Sequence, residues 1–268
     1  TYSIEAMMQD RKALQAGTSH FLGQNFAKAF DVTYQTKEGK LDHVWATSWG
    51  MSTRLIGALI MTHSDDRGLV VPPRLAPTEA VIIPIFKNKN KEEVVGYARR
   101  LYDEMKGGFR IDFDADDANS PGWKFAEWEM RGVPVRIEIG PRDMENGKVM
   151  LVRRDTGEKE AVAVGDAPAR VKELLEDIQQ SLFRKARELR EEHTYRIEDY
   201  SGFKELYEQD GGFADTYWCG SAECEAQIKE ETKATIRVLP FEQGDIDGKK
   251  CIHCGKPAKY RAVFAKAY

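Results

Sequence analysis

The four cysteines impose the strongest restriction on the fold of this chain. All of them lie in the last 50 of its 268 residues, as Cys219-x4-Cys224 and Cys251-x2-Cys254. Two thiolate pairs from separated segments are the layout that tetrahedral zinc favours, while reduced free thiols and a disulfide pair are the alternatives. We therefore expect a structural Zn²⁺ site that stabilises the fold without activating water. His253 is interpreted as a bystander, because four sulfurs already complete the coordination shell.

Composition bounds the size and class of the protein. A chain of 268 residues exceeds one usual compact domain, so two or three domains are expected. Apolar residues at 41%, charged residues at 31% and a mean hydropathy of −0.55 predict a globular protein with well-solvated surfaces. No apolar run approaches the roughly 18 residues of a membrane-spanning helix, so we expect a cytoplasmic protein with no membrane partner. Thr1 is not an initiator methionine, and we expect a fragment of something longer.

The net charge restricts the mode of nucleic-acid binding. A formal charge of −4 and a pI near 5.9 argue against a polybasic, histone-like mode. They do not exclude RNA, because the attraction depends on the local field at the contact rather than on the sum of charges.

The first block of the chain, residues 1–77, predicts two helices and a strand. Within residues 20–30 the phenylalanines recur at helical spacing, which predicts a helix with one apolar stripe formed by Phe21, Phe26 and Phe30. A strand is expected over 41–49 and a helix over 52–63. That second helix is expected to bury Leu55, Leu59 and Ile60.

From residue 78 the pattern alternates between strands and helices, which predicts a mixed sheet of four or five strands flanked by helices. A long amphipathic helix is expected from about residue 168. Its apolar face is predicted to contain Val171, Leu174, Leu175, Ile178, Leu182, Phe183 and Leu189. Residues 194–268 have weaker periodicity and contain all the cysteines. This is typical of a domain with a small core that needs a metal ion or a disulfide to stabilise it.

The run TSWGMSTR (47–54) indicates a phosphate-binding function. It predicts a strand that ends at Gly50, followed by a helix with Arg54 in its first turn. Gly50 lets a planar base or a phosphate approach the backbone, and an arginine at a positive helix N-terminus suits a triphosphate. Alone, the pattern also fits an ordinary surface arginine.

Four runs occur together and in one order. They are ALQAGTSHFLGQNFAKAF (13–30), TSWGMSTRLIG (47–57), MTHSDDRGLVVPPRLAP (61–77) and VIIPI (81–85). Their order and wording resemble the prolyl-tRNA synthetase family, with TSWGMSTR similar to the third signature motif of class II aminoacyl-tRNA synthetases. The resemblance runs from Thr1 to Tyr268, and the C-terminal part is similar to the archaeal/eukaryote-like branch.

The resemblance implies a multi-domain fold of the α/β and α+β classes. Residues 1–77 are expected to be the C-terminal part of the class II antiparallel-sheet catalytic domain. Residues 78–190 are expected to form an α/β anticodon-binding domain with a mixed sheet, and 191–268 a small zinc-stapled α+β domain.

The resemblance also implies a reaction. The parent enzyme, a homodimer in this family, would activate proline with ATP and Mg²⁺ and transfer the prolyl group to the 3′ end of tRNA(Pro). The residues that match ATP contacts are Gln15, Thr18, Ser52 and Arg54, with Arg54 as the catalytic motif 3 arginine. The residues that match the proline pocket are His20, Ser48, Trp49 and Gly50. Taken singly, His20 would more often be a capping residue and Trp49 a core residue.

Part of the expected site is not in this sequence. The first two class II motifs and the loop that recognises the proline amine are missing, so we expect no proline activation by this chain alone. Their absence keeps open a non-catalytic, synthetase-like tRNA-binding accessory protein, and a purely structural zinc-stapled domain is a further alternative. The joint presence of Gln15, Thr18, His20 and Arg54 argues against both, since ATP and proline binding together require that set.

The stretch SPGWKFAEWEMRGVPVRIEIGPRD (120–143) is similar to the anticodon-binding domain. Prolyl anticodons end in two guanines, whose edges pair with basic and acidic side chains. The candidate contacts are Lys124, Glu129, Arg136 and Arg142, with Phe125 or Trp128 stacking on a base. The alternative is that the aromatic residues pack the sheet and the charges form a solvated face. By resemblance, the terminal Tyr268 tucks toward the active-site region, whereas an ordinary terminus would be frayed.

Overall fold

The computed structural model describes residues 1–268, whose contacts cluster into two units. One unit is Thr1–Ala58 with Glu188–Tyr268, and the other is Leu59–Arg187. None of the helices combines the length and apolarity that crossing a bilayer requires.

The N-terminal segment is built around a small antiparallel sheet. Its elements are β1 (Tyr2–Met7), β2 (Ala13–Gly23), α1 (Asn25–Ala29), β3 (Thr33–Gln35), β4 (Leu41–His43), β5 (Ala46–Gly50) and α2 (Arg54–His63). The sheet order is β1-β2-β5, and β3 and β4 form a separate hairpin. The β1–β2 register shifts between Ile4 and Glu5, which lie opposite Gly17 and Gln15. One extra residue on β2 therefore makes a bulge beside the motif residues.

The predicted helix over residues 20–30 is wrong. β2 continues to Gly23, whose φ of +59° turns the chain, and α1 begins only at Asn25. Phe21 stacks on Trp45 at 5.8 Å between ring centroids. The aromatic spacing fits a helical period, but no shared buried stripe exists, because Phe21, Phe26 and Phe30 are all exposed.

Two other predictions of burial are corrected. Ile60 in α2 is exposed, while Ala58 is the buried residue of that helix and Leu55 and Leu59 are half-buried. In the long helix predicted from residue 168, Phe183 is 62% exposed. Ile60 and Phe183 lie at the margins of their apolar stripes, where the helical period alone does not decide whether a side chain faces the core.

The unit Leu59–Arg187 is formed mainly by an α/β layer. Its elements are β6 (Ala80–Pro84), α3 (Lys91–Met105), β7 (Ile111–Phe113), α4 (Pro121–Met130), β8 (Val135–Ile139), α5 (Pro141–Glu145), β9 (Lys148–Arg153), β10 (Lys159–Ala163) and α6 (Ala167–Glu192). The sheet order is β10-β9-β8-β6-β7, with β6 parallel to β7 and β8 and the other pairs antiparallel. The predicted mixed sheet is confirmed. Buried residues of α3 and α6 form its main core with Ile82, Ile137 and Leu151.

A buried arginine joins two loops of this unit. Arg154 is 4% exposed and donates to both carboxylate oxygens of Asp65, at 2.9 and 2.6 Å. Hydrogen bonds from this guanidinium hold the pKa of Asp65 well below its ordinary value. Arg154 also donates to the carbonyl oxygens of Glu129 and Gly68. These bonds satisfy a charge that would be costly to bury unpaired.

The C-terminal segment forms a second sheet. Its elements are β11 (Thr194–Arg196), α7 (Tyr200–Glu208), β12 (Phe213–Trp218), α8 (Ala222–Thr232), β13 (Thr235–Val238) and β14 (Tyr260–Ala265). The order is β11-β12-β14-β13, with β11 parallel to β12 and the rest antiparallel. Phe203, Ile228 and Phe264 are fully buried in its core. The tail after β14 follows β2, since the Ala13 N–H donates to the Lys266 carbonyl at 2.8 Å.

Candidate active site and metal centre

A polar cavity of about 280 Å³ lies where β2, β5 and the start of α2 meet. Thr18 pairs with Gly50 across the two strands. Four side chains predicted from the sequence to contact ATP line the cavity together: Gln15, Thr18, Ser52 and Arg54. Ala16, Met51 and the backbone of Gly17 and Gly50 complete the wall, and side chains at the two glycines would narrow the space.

The local sequence explains how Arg54 reaches the cavity. β5 ends at Gly50, and the Ser52 hydroxyl accepts a hydrogen bond from the Arg54 backbone N–H at 3.3 Å. Arg54 is the first residue of the ten-residue helix α2, it is exposed, and its guanidinium has no ion-pair partner in the structure. An unpaired guanidinium at a positive helix end is suited to bind an anion such as a phosphate.

The predicted proline-pocket residues divide between the two faces of the sheet. His20 pairs with Ser48, and Thr18 with Gly50, so these residues share the face that carries the cavity. His20 lies beyond the cavity wall, where its Nδ1 is hydrogen-bonded to the Thr1 hydroxyl at 3.0 Å. Trp49 pairs with Ser19 and therefore points to the opposite face.

On that opposite face Trp49 lines an apolar cavity of about 420 Å³. The other side chains around it include Tyr2, Ile4, Met51 and Phe241. Trp49 is 79% exposed. This geometry corrects the expectation that Trp49 and His20 form one wall. Trp49 follows Ser48, the pairing partner of His20, and successive residues of a strand face opposite sides of the sheet.

The four cysteines meet beside the C-terminal sheet, at the end of β12. Their Sγ atoms all lie within 4.8 Å of one another, with 3.5 Å between Cys224 and Cys251 and 3.7 Å between Cys219 and Cys254. A tetrahedral ion with Zn–S bonds of roughly 2.3 Å requires sulfurs roughly 3.8 Å apart. The four thiols are free of disulfides, and their spacing fits such an ion.

Short local motifs place these sulfurs. Cys219 follows β12, and Gly220 with φ of +85° reverses the chain before α8. The Ser221 hydroxyl caps α8 by accepting from the Cys224 N–H. The second pair lies in a tight turn, where the Cys251 N–H donates to the Lys256 carbonyl at 2.8 Å.

Backbone hydrogen bonds favour a thiolate at Cys251. Burial alone raises its pKa, but the N–H groups of Cys254, His253 and Cys219 outweigh burial and lower the pKa to about 7. Burial and the neighbouring Cys251 raise the pKa of Cys224. Four thiolates this close together would repel one another. All four cysteines can therefore lose their protons only when a cation binds between the sulfurs.

His253 lies against the cysteine cluster without being one of its four donors. Its Nδ1 lies 3.4 Å from the Cys224 sulfur, and its Nε2 lies 3.5 Å from a carboxylate oxygen of Glu231. The Tyr200 hydroxyl donates to the other oxygen of Glu231 at 3.0 Å, and the Tyr200 ring meets His253 edge-on. No short spacing in the sequence points to this network, because Glu231 lies seven residues beyond Cys224 on α8 and Tyr200 lies on a different helix, α7.

Three of the four candidate anticodon contacts have internal partners. Lys124 is 2% exposed and forms an ion pair with Asp114 at 3.0 Å. Glu129 accepts from Arg67 at 2.8 Å, and Arg136 donates to Glu138 at 2.9 Å. The side chain of Arg142, on α5, is exposed and has no ion-pair partner in the structure.

The two aromatic residues proposed to stack on a base pack against the sheet instead of facing solvent. Phe125 and Trp128 of α4 lie on a cluster with Val81 and Ile83 of β6. The Trp128 Nε1–H donates to Asp114 at 2.7 Å. The exposed aromatic residue of α4 is Trp123, which was not among the residues predicted to stack on a base.

The C-terminal residue is bound at the β1–β2 turn. The Tyr268 hydroxyl donates to Asp10 at 2.6 Å, and its backbone N–H donates to the Ala13 carbonyl at 3.2 Å. Burial alone would raise the pKa of Asp10, but hydrogen bonds from Tyr268 and Lys12 outweigh it and lower that pKa. Tyr268 therefore does not behave as a frayed end, and it lies two residues along β2 from Gln15.

Two domain families match this chain. Residues 79–174 match the anticodon binding domain, and residues 200–268 match the family described as prolyl-tRNA synthetase, C-terminal. The first match covers the five-stranded sheet, and the second covers β12, β13, β14 and the four cysteines.

Curated relatives match along the whole chain. It is 52% identical over 270 residues to "Proline--tRNA ligase" of Christiangramia forsetii, covering 100% of this chain and 55% of that protein. It is 56% identical over 276 residues to the protein of the same name from Chlorobium phaeobacteroides, covering 57% of it. A third, from Alkaliphilus oremlandii, is 53% identical over 268 residues, with 55% covered. The chain thus spans about half the length of the curated relatives it matches.

Proposed function

Because this chain belongs to the prolyl-tRNA synthetase family, we propose that it is part of a proline–tRNA ligase that activates proline with ATP and charges tRNA(Pro). The observation that carries the proposal is the convergence of Gln15, Thr18, Ser52 and Arg54 on one cavity. The expected domain boundaries at 1–77, 78–190 and 191–268 and the archaeal/eukaryote-like branch stay predictions.

In the first step the proline carboxylate attacks the α-phosphate of ATP and pyrophosphate leaves. Arg54 and the N-terminus of α2 would hold the phosphates, with Gln15, Thr18 and Ser52 as polar contacts to the nucleotide. Mg²⁺ bound with ATP would share in neutralising the phosphate charge. The polar side chains of the cavity lining are those of Gln15, Thr18, Ser52 and Arg54.

His20, Ser48 and Gly50 are proposed to contact proline. They lie on the cavity face of the sheet, next to the nucleotide residues, which would bring the carboxylate close to the α-phosphate. In the second step the terminal ribose of the tRNA attacks the prolyl carbonyl and AMP leaves. Both steps depend on positioning, and neither requires a covalent enzyme intermediate.

The test is proline-dependent ATP–pyrophosphate exchange by the full-length polypeptide, with alanine and cysteine as comparison substrates. Exchange that proline does not stimulate would contradict the proposed function. We expect the 268-residue chain alone to be inactive, because the other class II motifs are not in its sequence. We also propose a cytoplasmic homodimer, with the Tyr268 tail supporting the active-site region.

Arg142 is the proposed anticodon contact with the clearest test. Its exposed, unpaired guanidinium can reach a guanine edge, whereas Lys124, Glu129 and Arg136 would first have to leave internal partners. We expect Arg142→Ala to lower kcat/KM for tRNA charging by roughly 10- to 100-fold, equivalent to about 1–3 kcal/mol. Pyrophosphate exchange should be unchanged. Arg184→Ala, which removes an exposed arginine from α6, serves as a matched control, and an equal fall in both activities of the Arg142 variant would contradict the assignment.

We propose that the four cysteines bind structural Zn²⁺. All four donors are sulfurs with tetrahedral spacing, which leaves no open position for a substrate. The hydrogen bond between His253 and Cys224 would then orient a ligand, as outer partners of metal sites do.

The role of His253 can be measured directly on the metal. We expect His253→Phe to weaken zinc affinity by roughly 10- to 100-fold, because it removes the hydrogen bond to Cys224. Competition with a chromogenic chelator measures that change. Lys256→Ala, an exposed neighbour in the same turn, is the control. Equal zinc affinity in the His253 variant and the control would show that the contact is incidental.

A further inference from the structure

A buried ion pair connects the cysteine-bearing sheet to β1. Arg237 of β13 donates through Nε and Nη2 to the two carboxylate oxygens of Glu5, at 3.0 and 3.1 Å. The Glu5 side chain is 4% exposed and that of Arg237 is 19% exposed. A two-point contact of this kind fixes orientation as well as distance.

Both partners lie at irregularities of their strands. The register of β13 against β14 skips Arg237, which leaves it as an unpaired bulge residue. On β1 the register shifts between Ile4 and Glu5. Bulges re-aim side chains and recur beside functional sites, and here the two irregularities direct opposite charges at each other.

The ion pair lies next to the nucleotide cavity. Glu5 is the register partner of Gln15 on β2, so both side chains are on the same face of the sheet. Gln15 lines the cavity with Arg54, while Glu5 and Arg237 do not. Glu5 is therefore paired with the strand position that supplies a cavity wall, while neither member of the ion pair lines the cavity itself.

The other end of the connection reaches the cysteines. β13 pairs with β14, which pairs with β12, and Cys219 directly follows β12. The Ile252 N–H donates to the Tyr217 carbonyl at 2.9 Å, which attaches the second cysteine turn to the same strand. Continuous strand pairing thus runs from the cysteine cluster to β13, the strand that carries Arg237.

We propose that Arg237 is a positioning residue for nucleotide binding: its ion pair with Glu5 fixes the β1–β2 bulge and thereby Gln15. This inference rests on the proposed function. His20 and Ser48 lie further along β2 and β5. The ion pair is therefore expected to position the residues that bind ATP and to leave the residues that bind proline in place. Loss of one partner would leave the other charge buried without compensation, and the bulge would shift to rehydrate it.

The experiment measures exchange kinetics of the full-length enzyme with Arg237→Met, Glu5→Gln and the exchanged pair Glu5→Arg/Arg237→Glu. Arg237→Met is expected to raise KM for ATP about tenfold and to lower kcat/KM for ATP by up to about 100-fold, since small misplacements have effects of that size. KM for proline should stay the same. The exchanged pair should recover most of the ATP affinity.

Arg261→Met is the matched control, because Arg261 forms an ion pair with Asp215 within the same sheet and does not contact β1. The proposal fails if KM for ATP is unchanged in Arg237→Met, if KM for both substrates rises together, or if the control gives the same pattern. It also fails if the exchanged pair retains the defect. A wild-type enzyme without proline-dependent exchange would instead overturn the proposed function.

Discussion

Arg54→Ala in the full-length enzyme is expected to lower kcat/KM in proline-dependent pyrophosphate exchange by roughly 100- to 1,000-fold. Removing one preorganised donor to a developing phosphate charge typically costs about 3–4 kcal/mol of transition-state stabilisation. Arg54 is the one cationic side chain in the cavity lining, so no neighbouring charge in this chain can replace it. The expected loss is in the interaction with ATP, and the free energy of unfolding should change little because Arg54 is exposed.

Two further variants make this result specific. Arg54→Lys keeps the charge but loses the planar fork, so an intermediate loss is expected. Lys28→Ala removes an exposed charge from α1, away from the cavity lining, and should have no effect. Near wild-type exchange by Arg54→Ala would contradict the placement of the phosphates at the start of α2.

The sequence predicted the five-stranded sheet and the cavity lining because both depend on short-range signals. Alternating apolar strands and helices specify a mixed sheet almost without reference to distant residues. Gly50 and Arg54 are four residues apart, so the strand end and the helix start fix their relation. The cysteine pairs were equally readable, since ligand spacing is local within each pair.

The errors have a common physical origin. Helical period placed Phe21 with Phe26 and Phe30, but the β2–β5 pairing is a long-range contact that extends the strand to Gly23. The motif placed Trp49 beside Ser48 in sequence, whereas strand alternation turns it to the other face. Arg237 carried no signal, because its partner Glu5 is 232 residues away along the chain.

Cys251→Ser is expected to remove bound metal and to unfold the C-terminal sheet selectively. Structural zinc in small domains contributes about 10 kcal/mol or more of apparent binding free energy, which exceeds the stability of most single domains. Three of the four cysteines are buried in the same core as Phe203 and Phe264, so loss of the ion would remove a cross-link between the two chain segments that enclose this core. Metal analysis of the purified protein should give one zinc per wild-type chain and a large deficit in the variant.

Hydrogen exchange would locate the damage, since each sheet reports on its own opening. Protection should fall in β12 and β14 while β6 and β8 keep theirs, because the five-stranded sheet has a separate apolar core. Ser221→Ala is the control: it removes the cap of α8 at a cost of about 1 kcal/mol and should retain the metal. If wild-type protein purified with zinc available contained no metal and lost no protection with chelator, the four sulfurs would be a cluster of reduced thiols stabilised by the surrounding core alone.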